Sequence, residues 1–243
     1  MLRFLLATIV TLAVTEAAVI ATSVYLHRGL AHRALRLHPL ADFLFRCILW
    51  ISTGQNRREW VAVHRKHHAF TDKEGDPHSP LLLGFWKVQL GNVFYYVREA
   101  RNPETITRWA KDIKVDIWDR LIFNWGTAGA VVGIALAMLL LGPLWGLAVA
   151  LAHFVLYVFL LAPAINALGH WWGSRNFLTN NATNIWFLAW WTGGESLHNN
   201  HHACPSSPKF SMARFEFDPS WVVIKFLVAL RLVSLVGERV KLT

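Results

Sequence analysis

The sequence predicts an all-α integral membrane protein with three transmembrane helices, interfacial helices beside them, and a cytoplasmic histidine-rich cap that holds two metal ions. Three observations predict it. Of the 243 residues, 54% are apolar and only 16% are charged, too greasy a balance for an ordinary soluble domain. Long apolar runs lie at 5–26, 121–141 and 144–168, each near the ~20 residues that a bilayer crossing requires. The pattern H-x-x-H-H occurs twice, as His64, His67, His68 and as His198, His201, His202. Positions i, i+3 and i+4 neighbour one another on a helix surface, so each copy is expected to point three imidazoles at one spot.

The first run is broken only by Thr, Ser and Glu16. A carboxylate is expensive at that depth, so Glu16 is expected to face the bundle interior. No basic leader and small-residue cleavage motif mark the run as a signal peptide. His27 and His32 stand at its end, five residues apart, which on an α-helix separates them by about 140°. A shared face therefore asks for a bend, expected at Gly29-Leu30.

The next apolar stretch, Leu40 to Gly54, is short and carries Arg46 in its middle. It is expected to lie in the interface or re-enter it. A crossing there would put His27 and His32 on the opposite side from His64, His67 and His68. The runs 121–141 and 144–168 are divided by Gly142-Pro143 and read as a helical hairpin. His153, inside the second, is expected to be packed or hydrogen-bonded. Asn166 and His170, four residues apart, share a face at that helix's end. Trp221 to Gly237, interrupted by Lys225 and Arg231, is expected to be another interfacial helix. The topology is then one domain over 1–243 with the N-terminus outside, and with 27–120 and 169–243 on the cytoplasmic side.

Charge agrees with that arrangement. The formal net charge is +9, and no Lys or Arg occurs between 121 and 169. Basic residues flanking spans on one side follow the positive-inside rule and suit anionic headgroups. They form no separate basic module, so a nucleic-acid partner is not expected. The two cysteines, Cys47 and Cys204, have no C-x-x-C spacing and offer no disulfide framework. Cys204 is expected to be a small buried residue, not a ligand.

Neutral imidazole is the commonest protein metal ligand. Nine histidines in these segments exceed the needs of one ion, so the pattern asks for two. A ligand set of nitrogen without thiolate is unlike a closed structural zinc site. It suggests a redox pair with a position open to oxygen. A metal transporter would place its ligands near the bilayer midplane, and here they fall at or beyond the ends of spans.

The order H-x-x-x-x-H, H-x-x-H-H, N-x-x-x-H, H-x-x-H-H resembles the membrane-bound acyl-CoA desaturases, the stearoyl-CoA Δ9 type and its bacterial relatives. Gln55-Asn56, Glu59-Trp60, the segment FTDKEGDPHSP from Phe70 to Pro80, Gly194-Glu195, and Phe217-Asp218-Pro219 with Trp221 match as well. The likeness runs from His27 to about Trp221. It implies two Fe2+ ions held by His27, His32, His64, His67, His68, His170, His198, His201 and His202, undivided between the two, with Asn166 completing one shell through water. Zinc can replace iron in a purified sample.

The reaction it implies is O2-dependent desaturation of a fatty acyl chain, as acyl-CoA at Δ9 with a cis double bond. Gln55 and Trp60 fall at positions that line the family's acyl tunnel, and Asn56, Arg57 and Arg58 where headgroup phosphates are met. Electrons come from a separate donor of the ferredoxin or cytochrome b5 type with its reductase. The expected location is a bacterial inner membrane with the site on the cytoplasmic side. The rivals are a hydroxylase or acetylenase on the same kind of centre, and a desaturase of acyl-lipid or acyl-carrier-protein substrates. The chain departs from the family in having three expected spans instead of four. It also reads Gly194-Glu195-Ser196-Leu197 where a Gly-Trp pair is common, and it carries His38 and His78 outside the ligand set.

Overall fold

The computed structural model describes residues 1–236. Helix α1 covers Leu2–Ala21 and runs on as a π-helix over Thr22–Ala31. This wider winding closes i→i+5 hydrogen bonds, among them His32 N to His27 O at 3.0 Å. His27 and His32 therefore lie about one turn apart, and no bend at Gly29-Leu30 is needed. Gly29 instead makes room for a neighbour, since a Cβ there would stand 2.8 Å from Leu37 Cδ1.

The chain continues through β1 (Leu35–Leu37), α2 (Pro39–Ser52) and α3 (Arg57–Phe70). The His38 side chain caps α2 by accepting from Leu40 N at 3.2 Å, which gives that histidine its role. Asn56 Oδ1 caps α3 by accepting from the backbone N–H of Arg58 and Glu59. Three further helices follow: α4 (Pro80–Leu83), α5 (Phe85–Ala100) and α6 (Pro103–Trp109). Helix α7 covers Gly126–Leu141, and Gly142 (φ 85°) with Pro143 turns the chain directly into α8 (Pro143–Phe154). Helix α8 passes into a π-helix over Val155–Leu161 and then into α9 (Ala162–Asn166). The third histidine box forms α10 (His198–Ala203), and α11 covers Pro219–Ala229.

Among the described residues, two helices are long and apolar enough to cross a bilayer, Leu2–Ala31 and Pro143–His170. They run parallel: Thr15 Oγ1 lies 2.9 Å from His153 Nδ1, and Thr22 Oγ1 lies 2.6 Å from Tyr157 Oη, in ascending register. Both deliver their histidines to the same end. The stretch expected to cross from 121 begins as α7 only at Gly126. Its 16 residues rise about 24 Å, against a hydrocarbon core of about 30 Å. The residues before it are held otherwise. Arg46 and Arg57 each hold Asp119 at 2.6 Å, and Asp119–Phe123 winds as a separate π turn. Gly126 then meets the backbone of Gly54 so closely that a Cβ would stand 2.1 Å from Gly54 O.

Helix α2 packs on α1 and α7. Ser52 O accepts from His153 Nε2 at 2.9 Å, so His153 is hydrogen-bonded on both ring nitrogens, between α1 and the end of α2. The expected helix 221–237 is shorter than predicted. Helix α11 ends at Ala229, Arg231 adopts φ 59°, and β2 (Val233–Leu235) pairs antiparallel with β1. Gly237 lies outside the described residues. Glu16 is half-buried.

Candidate metal centre

The nine histidines converge in two groups. His27, His32, His64, His68 and His201 form one, and His67, His170, His198 and His202 the other, with the donor atoms of each group within 4.8 Å of one another. Each H-x-x-H-H box is thus split. In the second box the outer pair His64 and His68 joins the first group and His67 the second. In the third box the outer pair His198 and His202 joins the second group and His201 the first. The expectation that each box aims three rings at one spot is corrected here, and helix geometry gives the reason. At 100° per residue, i and i+4 differ by about 40°, whereas i+3 stands about 100° from i+4. One ring of each box therefore reaches across to the other group.

The Nε2 atoms face one another. In the first group His27 and His201 are 3.0 Å apart, His32 and His64 2.8 Å, and His68 and His201 2.9 Å. In the second, His170 and His198 are 3.0 Å apart, His198 and His202 3.1 Å, and His67 and His202 3.4 Å. Two ligands at right angles on an ion with metal–nitrogen bonds of about 2.1 Å stand about 3.0 Å apart. The donor set fits two metal ions.

Carboxylates hold the rings from behind. Asp76 holds His67 Nδ1, Asp72 Oδ2 accepts from His170 Nδ1 at 3.0 Å, and Glu195 pairs with His27 Nδ1. A carboxylate on Nδ1 keeps the proton there and leaves the Nε2 lone pair for a metal. Burial opposes the charge on Glu195, but His27, Arg28 and Ser23 together hold its carboxyl below the usual range. Burial, reinforced by neighbouring imidazoles, pushes His64, His68, His198, His201 and His202 well below the ordinary histidine value. They are neutral and ready to bind metal at neutral pH.

Behind Glu195, Arg28 is fully buried and bonds Asp218 with both Nη atoms, at 2.9 and 3.0 Å. Its Nη2 also donates to Gly193 O at 3.2 Å. Gly194 (φ 86°) admits this pair, since a Cβ there would stand 2.5 Å from Asp218 Oδ1. Sequence reasoning saw Asp72, Asp76 and Glu195 only as matching letters. Their role needed the fold, which brings Asp72 to a histidine 98 positions away.

A cavity of about 150 Å³ adjoins the histidines, reached by Gln55, Trp60, His64, Asn166 and His198, with Val19, Thr22 and Tyr157 also in its wall. Trp60 lies flat against His64, with ring centroids 4.8 Å apart. Asn166 Nδ2 donates to Asn92 Oδ1 at 2.9 Å, which leaves the amide oxygen as the acceptor of this side chain. Asn56 and Arg57 are occupied elsewhere, Asn56 with the α3 cap and Asn124, and Arg57 with Asp116 and Asp119. Arg58 is half-buried at the start of α3. His78 stacks on His67 at 4.7 Å and forms a small cluster with it and Asp76. Cys204 ends α10 and belongs to neither histidine group.

The profile of the fatty acid desaturase family matches residues 3–216. Delta-9 acyl-lipid desaturase 2 of Arabidopsis thaliana is 32% identical over 208 residues, or 82% of this chain and 64% of that protein. The acyl-CoA C20 Delta5-desaturase of Anemone leveillei is 31% identical over 223 residues, 89% and 69% of the two chains. The sn-1 stearoyl-lipid 9-desaturase of Synechocystis sp. is 31% identical over 211 residues, 85% and 64%. The chain spans just under two thirds of the length of several of these relatives. With all of its histidine boxes inside the matched range, the chain belongs to the fatty acid desaturase family.

Proposed function

We propose that this protein introduces a double bond into a fatty acyl chain, with two iron ions and electrons from a separate donor. The observation that supports it most is the five-and-four convergence of imidazole nitrogens beside a largely apolar cavity. His27, His32, His64, His68 and His201 would hold one iron, and His67, His170, His198 and His202 the other, with the Asn166 amide oxygen meeting a water on the second. Bound and reduced, the pair supplies the oxygen chemistry: –CH2–CH2– + O2 + 2e⁻ + 2H⁺ gives –CH=CH– + 2H2O.

The chain's own residues do the rest. Asp72, Asp76 and Glu195 keep protons on Nδ1 and so fix the direction of His170, His67 and His27. Trp60 braces His64 and forms part of the cavity wall next to the histidines. Val19, Val158 and Leu161 offer hydrocarbon surface that would hold one pair of methylenes near the metals and exclude water. The parallel course of the two long helices, with the basic residues at their histidine end, supports a site on the cytoplasmic side. The net positive charge suits an acidic ferredoxin or cytochrome b5 donor.

Expression in a desaturase-deficient host, followed by mass spectrometry of total fatty acids with double-bond location, tests this. A new monounsaturated acid that disappears in His67→Ala is expected. A hydroxylated acid would replace the reading with a hydroxylase.

A further inference from the structure

The cavity has two kinds of wall. Val19 and His27 on one side, with Thr192, Glu195 and His198, are buried. Val93 of α5 and Val158, Leu161, Ala162 and Ile165 of the long helix facing it are only half-buried. Just outside that second wall lie exposed apolar side chains, Leu90 and Phe94 on α5, and Val155, Phe159 and Leu160 on the long helix.

Helix α5 explains the difference. Trp86, Leu90 and Phe94 are 70%, 67% and 63% exposed and recur every fourth residue, so they form one stripe. The other side of α5 gives Val88 and Asn92 to the interior and Val93 to the cavity. The stripe continues the surface of a helix long enough to cross a membrane, and Phe85 meets Trp171, just beyond that helix's end, at 5.6 Å. Tryptophan at such a boundary is characteristic of the membrane–water interface. The long helix is also interrupted here. Val155–Leu161 is π-wound, Ala162 N donates to Tyr157 O, and Pro163 follows. Irregular backbone at membrane depth is tolerated where it lines a cavity.

We propose that the acyl chain enters sideways through the seam between α5 and this broken helix, directly from the hydrocarbon layer, and is carried by a membrane lipid rather than by coenzyme A. This rests on the desaturase reading.

The test uses the iron-loaded full chain in phosphatidylglycerol vesicles with a ferredoxin, its reductase, NADPH and O2. The substrate is a labelled stearoyl chain, either on phosphatidylcholine or on coenzyme A. The lipid-borne chain is expected to gain its double bond at least about tenfold faster, and Ala162→Trp or Val93→Trp to lower that rate about tenfold with both metals retained. An equal or faster reaction of the coenzyme A ester in the wild type overturns the seam and leaves the desaturase standing. An undiminished lipid rate in a metal-loaded tryptophan variant does the same. A hydroxylated lipid keeps the seam and removes the desaturase. Absence of product from both substrates removes both.

Discussion

Asp76 grips His67 with both carboxylate oxygens, each 3.0 Å from Nδ1. Burial alone would raise this carboxyl, but the His67 imidazole and the His78 backbone hold it well below the usual carboxylate range. Loss of such a partner behind a ligand typically weakens metal binding about 10- to 100-fold. Asp76→Asn is expected to lose the metal of the four-histidine group first and to retain the other. Metal per chain, measured by mass spectrometry on purified protein under a chelator series, should pass through a plateau at one.

The split of each box predicts which metal each variant loses. His201→Ala should deplete the five-histidine group and His202→Ala the four-histidine group, although the two residues are adjacent. Mixed-metal loading followed by spectroscopy would show two different residual sites. The same spectrum from both variants would refute the division.

Acid sensitivity of the metal-free protein follows from its buried imidazoles. In the unfolded chain they titrate near pH 6.5. In the fold His78 is lowered to about 3 by burial and by His67, and His64, His68, His198, His201 and His202 are lowered strongly. Below about pH 6.5 the unfolded chain therefore binds more protons, and stability present above that pH is lost as pH falls. The melting temperature of apo-protein in detergent should drop between pH 7 and 5, and bound metal should raise it at both pH values without removing the drop.

Arg28→Leu leaves Asp218 buried without its cation. Breaking a buried pair in this way costs about 3–5 kcal/mol, so folded yield in detergent should collapse, with partial recovery in Arg28→Leu/Asp218→Asn. Thermal melting on the double variant checks the recovery.

Gly126→Ala should be among the most damaging small changes where α2 meets α7. Its Cβ would stand 2.1 Å from Gly54 O, and overpacking of this kind costs about 1–3 kcal/mol. A Tm lowered by several degrees with the metal count unchanged is the expected result.

Much of this was legible in the sequence. The paired boxes and their meeting at one end were readable because ligand spacing and apolar runs are local signals. The two-way division was not, because the i, i+3, i+4 spacing was read as a single face although i+3 stands about 100° from i+4. The π winding that aligns His27 with His32 was equally hidden: five-residue spacing reads as misaligned under the α-helical period. The start of α7 was missed because hydropathy does not register the hold of Arg46 and Arg57 on Asp119. The stripe on α5 escaped notice inside a segment read only as cytoplasmic or interfacial.

His27 and His201 stand 174 positions apart and touch. A growing chain that has not yet reached 198 already carries His27, His32, His64 and His68, four of the five ligands of one group, but only His67 and His170 of the other. Both groups are therefore completed only when the last box is in place, one lacking a single ring until then and the other two of its four.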